Sequence, residues 1–358
     1  MNYRYVEVYA NNDPGASGTF LVDLNLTDPV SRFLIKFRPV GGSVVAVAHP
    51  AAAITRIELI DGSDVLYSLT GLEAAALNFI DADRPINDWL DYRNGGTPQL
   101  DITIDFGRWL GDSELAFVPG NFANPQLRIT WNRVAWDASA SASQFGIWAY
   151  VFDQKTISPI GFLLNKEIKE YACAVSGYEY TDIPTDYPLR ALIIKGLRGG
   201  VIPRTLVDSI KLSEDNDKRI PIMGSTYDLE PLLRLWSGIT ETEITGQGTS
   251  TARTFFAAPT YQMIGTFTCM DDAEGNQFAN AQGGRFSFVG EGATLSFSGQ
   301  VQGIFPHGCI PIKFGDPKVI EDWYDTGSIG SLSLRVGASA TALTTDRVDI
   351  VTQQLRRY

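Results

Sequence analysis

The sequence predicts an all-β chain of two tandem β-sandwich units, with short accessory helices and a loop insertion in the second unit. Three observations carry that expectation. A length of 358 residues divides into about two domains of roughly 150 residues, each large enough for its own core. The chain holds 34 glycines, 18 prolines and 11% aromatic residues, a mixture that favours many short strands joined by tight turns over long helices. Above all, one ordered series of landmarks occurs twice along the chain, the mark of an internal repeat.

The opening residues, Met1-Asn2-Tyr3-Arg4-Tyr5-Val6-Glu7-Val8, alternate apolar and polar side chains as a strand does and lack the continuous apolar stretch of a secretory signal. The first landmark follows. Arg32-Phe33-Leu34-Ile35-Lys36 leads to Gly41-Gly42, and Arg190-Ala191-Leu192-Ile193-Ile194-Lys195 leads to Gly199-Gly200. Next, alternating strands Ile54–Leu59 and Val207–Leu212 enter polar turns at Asp61-Gly62-Ser63-Asp64 and Glu214-Asp215-Asn216-Asp217. First strand and turn keep a constant spacing of 153 residues (54 to 207, 64 to 217), and both return as apolar strands, Val65-Leu66-Tyr67 and Ile220-Pro221-Ile222, which is hairpin chemistry. A helix comes third. Leu72, Ala75, Ala76, Phe79 and Ile80 keep helical spacing behind a Thr70–Glu73 capping box, and Leu229, Leu232, Leu233 and Trp236 repeat it with Pro231 in the first turn. Each helix is expected to show one apolar stripe that covers the side or end of a barrel.

The fourth landmark pairs Ile104-Asp105-Phe106-Gly107 with Ile312-Lys313-Phe314-Gly315, now 208 residues apart (104 to 312). The second unit has therefore gained 55 residues, the difference between 208 and 153, within Ser237 to Gly308. Strand-like pieces at Gln262–Met270, Arg285–Val289 and Thr294–Phe297 make this a folded protrusion grown from loops. Both units close alike, with Leu127–Trp131 and Phe145–Phe152 in the first and Leu332–Val336 and Arg347–Val351 in the second, separated by small-residue loops at Asp137–Ser143 and Gly337–Thr345. The units are 1–160 and 161–358, with the protrusion around 237–308.

Composition narrows the function. A net charge of -12 argues against a protein that coats or condenses nucleic acid, and sequence-specific nucleic-acid binding is not expected. Only 20% of residues are charged, against roughly a quarter in typical globular chains, as suits a surface buried by neighbours. The most apolar run, Val44–Ile54, is broken by His49 and Pro50 and is shorter than the roughly 20 residues of a membrane-spanning helix, so the chain itself is expected to be soluble. Cys173, Cys269 and Cys309 form an odd, irregularly spaced set that suggests neither disulfides nor a thiolate metal cage and fits a reducing compartment.

The duplicated strand–hairpin–helix series with one enlarged loop system resembles the double jelly-roll major capsid proteins of tailless icosahedral viruses, the lineage of adenoviruses, tectiviruses, corticoviruses and finnlakeviruses. The resemblance spans nearly the whole chain and rests on this order of elements rather than on a short motif. It implies two jelly-roll sandwiches standing side by side, a homotrimer whose six barrels form a pseudo-hexagonal capsomer, and a tower made by the insertion. It further implies contacts with neighbouring capsomers and minor capsid proteins, an internal membrane beneath the barrels, a place in the virion capsid after synthesis in the host cytoplasm, and a purely structural role without catalysis, as in a bacteriophage of this type. Some relatives carry structural cations between subunits, which leaves interface calcium open without residue assignments.

Chemistry-bearing residues give no rival centre. A metal site built on His49 and His307 would need both histidines to converge from separate units with carboxylates, and His307-Gly308-Cys309 has no second ligand pair at zinc spacing. His49 reads as packed or turn-forming. Gly246-Gln247-Gly248 lacks the lysine and helix of a phosphate loop and reads as flexible loop. Asp271-Asp272 could serve glycoside cleavage and Asp215-Asn216-Asp217 could ligate calcium only by convergence, and the latter lacks the glycine and glutamate of a calcium loop, so it reads as a hairpin turn. No hydrolase nucleophile elbow accompanies an alternating strand–helix pattern. Arg356-Arg357 could meet anionic lipid or nucleic acid but reads as solvated. Seven tryptophans, Trp89, Trp109, Trp131, Trp136, Trp148, Trp236 and Trp323, keep a carbohydrate-binding adhesin or spike as the alternative, although most read as core or interface anchors. Catalytic, cofactor and metal residues are therefore expected to be none.

Overall fold

The computed structural model describes residues 3–42, 46–82, 88–153, 157–247, 253–269, 277–289 and 296–358. Its first half runs β1 (Arg4–Asn12), β2 (Ser17–Asp23), β3 (Val30–Val40), β4 (Ile54–Asp61), β5 (Asp64–Leu69), α1 (Gly71–Ala82), β6 (Asp88–Tyr92), β7 (Gln99–Asp105), β8 (Pro125–Asn132) and β9 (Ala142–Val151). Two sheets, β1-β9-β3-β7-β6 and β2-β8-β4-β5, face each other in the jelly-roll order. Alternation along β3 shows why they do: Phe33, Ile35 and Phe37 point to the shared core while Arg32, Lys36 and Arg38 point away.

The second half repeats this with β10 (Gly161–Ala172), β11 (Tyr178–Asp182), β12 (Leu189–Gly196), β13 (Ser209–Glu214), β14 (Arg219–Ser225), α2 (Glu230–Ser237), β21 (Cys309–Lys313), β22 (Leu332–Gly337) and β23 (Arg347–Arg357). Its strand orders, β10-β23-β12-β21 and β11-β22-β13-β14, copy β1-β9-β3-β7 and β2-β8-β4-β5 strand for strand, with no counterpart of β6. Register is copied as well. Glu7 faces Trp148 and, after a bulge, Tyr9 faces Ile147; Glu167 faces Val351 and, after a bulge at the same place, Lys169 faces Ile350. Leu34 lies between Trp148 and Thr103, as Ile193 lies between Val351 and Pro311. Register fixes which side chains reach the core, so coincident bulges at coincident positions mean two copies of one sandwich.

Between α2 and β21 come β15 (Thr240–Gln247), β16 (Arg253–Phe256), β17 (Tyr261–Cys269), β18 (Gln277–Gln282), β19 (Arg285–Val289) and β20 (Ser296–Ile304). The protrusion does not stand apart as a loop tower alone. β15 pairs in parallel with β6, so β15-β20-β17 extend the first half's sheet to eight strands. Gly246 and Gln247 accordingly belong to strand β15 rather than to a flexible loop, while Gly248 lies outside the described residues, as do positions 294 and 295 of the expected strand start.

A second join fuses the halves. β5 meets β10 in parallel at Ser68 and Lys166, making one sheet of β2-β8-β4-β5-β10-β23-β12-β21. One face of this sheet borders the first-half core throughout, with Ala191, Ile193 and Val351 contributing to it; the other carries Leu192, Ile194 and Ile350 into the second-half core. β12 and β23 are buried on both faces, which explains the unbroken apolar run Ala191–Ile194 of β12, while β23 also buries Asp349, Thr352, Gln353 and Gln354. Truncating equivalent core residues should test the equivalence: Ile57→Ala and Ile210→Ala, each fully buried in its own core, are expected to destabilise by about 2–5 kcal/mol apiece and to add in the double variant, as read from denaturant unfolding.

Candidate assembly interface

The helix of each half packs over its own sheet, α1 against β7 and α2 against β21. Their outer sides differ. For α1 the expectation of a single apolar stripe is wrong: Ala74, Ala76, Phe79 and Ile80 are all buried, because the second half closes over the face that would otherwise meet water. On α2 the stripe is real, and Leu235 remains 77% exposed beside Leu232 and Ile239.

Charged groups clamp α1 at both ends. The capping box forms as expected, with Thr70 N–H donating to Glu73 Oε2 at 2.8 Å and Glu73 N–H to Thr70 Oγ1 at 3.3 Å. Glu73 Oε1 also accepts from Lys195 Nζ on β12 at 3.0 Å, and the same ammonium reaches Asp349 on β23 at 2.5 Å. Burial opposes the charge on Glu73, yet Lys195 and the Thr70 amide hold its carboxyl below the usual range; Asp349, buried and sharing that lysine with Glu73, is pushed up to about 7. At the other end Lys313 Nζ donates to the Ile80 carbonyl at 2.8 Å and Arg190 to Asp81 at 2.8 Å, cations placed where the helix dipole is negative. Two further pairs cross the joint, Arg56 with Glu167 at 2.7 Å and Arg356 with Asp64 at 3.0 and 2.5 Å. Glu73 and Lys195 are nearly solvent-free, so deleting Lys195 leaves buried carboxylates without their cation, a loss of about 3–5 kcal/mol, whereas without Glu73 the lysine keeps Asp349. The joint is thus a shared core with a charged perimeter. Sequence reasoning saw Thr70–Glu73 as a local cap and missed its second partner, because Lys195 lies far along the chain.

His49 and His307, which a metal site would have required to converge, do lie together. Their ring centroids lie 4.5 Å apart, edge to face, between the first half and the turn that ends the protrusion. His49 Nδ1 accepts the Ala51 N–H at 3.2 Å, so the neutral ring carries its proton on Nε2, which faces Asp88 Oδ1 at 3.8 Å. That protonated nitrogen has no lone pair for a metal, and among the described residues no cluster of three or more ligands exists. Burial dominates all three groups: it pushes His49 well below the usual imidazole range, His307 down to about 3, and Asp88 up to about 7.

The remaining sequence candidates are occupied structurally. Asp215, Asn216 and Asp217 all have left-handed backbones, and the Asp215 carboxylate accepts the Gly330 and Ser331 amides at 2.9 Å while Asp217 accepts from Lys211 at 2.6 Å. This is a turn, as expected. Asp271 and Asp272 lie outside the described residues, as does the Cys269 side chain; Cys173 and Cys309 are free and buried. Arg356 is not a solvated terminal arginine, since β23 extends through it and Asp64 engages it. Trp131, Trp136 and Trp323 are buried, and only Trp109 is widely exposed, under the Arg108 guanidinium, so the tryptophans do not line up as a sugar platform among the described residues.

A two-sandwich chain with copied register, a fused joint and a protrusion from the second copy is a double jelly roll. Solved structures agree on that fold. The major capsid protein of Sulfolobus Turreted Icosahedral Virus superposes with a TM-score of 0.62 at 12% identity, covering 100% of this chain and 98% of that one. The capsid protein of PBCV-1 gives 0.61 at 10% identity over 99% and 94% of the two chains, and that of bacteriophage PM2 gives 0.56 at 10% over 99% and 98%. No family model and no curated protein matches the sequence.

The histidine pair predicts an acid-sensitive joint. A histidine whose native pKa is depressed contributes stability that is complete above its unfolded value near 6.5 and drains as pH falls toward the native value; Asp88, raised, works the other way and regains stability as pH falls below about 7. Against wild type, His307→Phe should therefore gain about 1.4 kcal/mol per pH unit between pH 6 and 4 in thermal or denaturant unfolding. Parallel pH profiles for the two proteins would refute this.

Proposed function

We propose that this protein is the major capsid protein of a tailless icosahedral virus and acts by assembly alone, without catalysis. The observation that carries the reading is the copied register: two equivalent wedges on one chain are what three chains need to tile a six-cornered block. Residues 1–160 and 161–358 are the two jelly rolls, and the insertion around 237–308 is the outward tower. The homotrimer packs against neighbouring capsomers and minor capsid proteins in the virion shell, above an internal membrane, after synthesis in the host cytoplasm. Calcium, where present, would sit between subunits and not at the described acidic turn.

Supporting this, α1 needs a second sandwich to bury it and α2 lacks one within the chain. A head-to-tail contact that repeats the internal joint closes a ring rather than a twofold pair. Light scattering on the purified protein should give about three times the 39.2 kDa chain mass, and electron micrographs should show pseudo-hexagonal units. A monomer at all concentrations and salt levels, or saturable glycan binding by that monomer, would overturn the reading.

A further inference from the structure

The internal joint between β5 and β10 has an unused twin. β5 corresponds to β14 and β10 to β1 through the registers above, and each twin ends its sheet: β14 is the last strand of β11-β22-β13-β14, and β1 the first of β1-β9-β3-β7. Open edges of this kind recruit another strand. Resting on the trimer reading, we infer that β14 of one copy adds in parallel to β1 of the next, with Met223 alongside Val6, so that a sheet runs continuously from chain to chain as it already runs from half to half.

Three independent features at the twin positions agree. First, Ser68 and Lys166 pair within the chain, and their counterparts in register are Met223 and Val6; Met223 is exposed on the edge strand. Second, the space enclosed by β5, α1 and β7 is nearly filled, about 10 Å³, with Asn165 of β10 among its walls, whereas the corresponding groove between β14, α2 and β21 is open at about 420 Å³, lined by Ile222, Leu232, Trp236 and Phe314. The counterpart of Asn165 on β1 is Tyr5, a larger side chain left half exposed. A bigger hole thus meets a bigger plug. Third, Asp64 on β5 binds Arg356 just beyond the join, and the counterparts are Arg219 on β14 and Asp153 after β9. Both signs are reversed, so complementarity is kept. Within the chain Arg219 reaches Glu214 at 2.7 Å yet stays largely exposed, and Asp153 lies 3.7 Å from Arg4, so both are placed for a second partner.

The reversal also gives direction. β5 is already taken by β10 within the chain, and the arginine on β14 would attract the Asp153 carboxylate beside a neighbour's β1 at the edge that remains open.

The test pairs cross-linking with charge exchange. In a Cys269→Ser background, an Asp153→Cys, Arg219→Cys double variant treated with a short bis-maleimide should run on denaturing gels as a ladder ending at three chains, while the Cys269→Ser parent, whose remaining cysteines Cys173 and Cys309 are buried, should not. Arg219→Asp and Asp153→Arg should each raise the concentration for half-assembly about tenfold, with recovery when both are combined in one chain, and Tyr5→Ala should weaken assembly with the monomer still folded by circular dichroism. A trimer that forms but neither cross-links at these positions nor responds to the charge exchange overturns the strand join and leaves the trimer standing. Failure of wild type to form trimers overturns both. A ladder continuing past three chains supports the join and overturns ring closure.

Discussion

The burial of α1 is the constraint on which the rest depends. A helix reading Gly-Leu-Glu-Ala-Ala-Ala-Leu-Asn-Phe-Ile-Asp-Ala presents small or apolar residues on nearly every side, and a single sandwich can cover only one of them. The second half covers the others, and the charges on its strands are arranged around that requirement: Lys195 at the start of the helix, Arg190 and Lys313 at its end. Because Ala191, Ile193 and Val351 of the second half line the first-half core, the halves meet through an apolar joint rather than through the polar surface of loosely joined domains.

The same helix position in the second half has the opposite character. α2 is short and amphipathic, with Leu235 in solvent and no part of the chain closing over it among the described residues. The difference between α1 and α2 is therefore that one is covered within the chain and the other is left partly in solvent. A polypeptide that carries one of each has a built-in polarity.

Much of this was legible in the residues. The hairpins at Ile54–Tyr67 and Val207–Ile222, the capping box at Thr70–Glu73 and the 208-residue spacing of Ile104 and Ile312 correspond to equivalent structural elements, because each depends on local chemistry. What stayed hidden was long-range. The parallel pairing of β6 with β15 follows no turn signal, and Gly246 in β15 looked like loop because glycine there makes room for Phe297 rather than for a bend. His49 and His307 are 258 positions apart in sequence, from 49 to 307, and nothing near either one announces that their rings touch. The Lys195 bridge escaped for the same reason.

Strand β23 sits in the middle of its sheet, between β10 and β12, although it is made after both. The second sandwich cannot close, nor α1 be fully covered, until the residues from Arg347 to Arg357 have left the ribosome and threaded into that gap. A nascent or prematurely terminated chain thus lacks the closed second sandwich and the finished cover over α1, so the two halves are completed together at the end of synthesis.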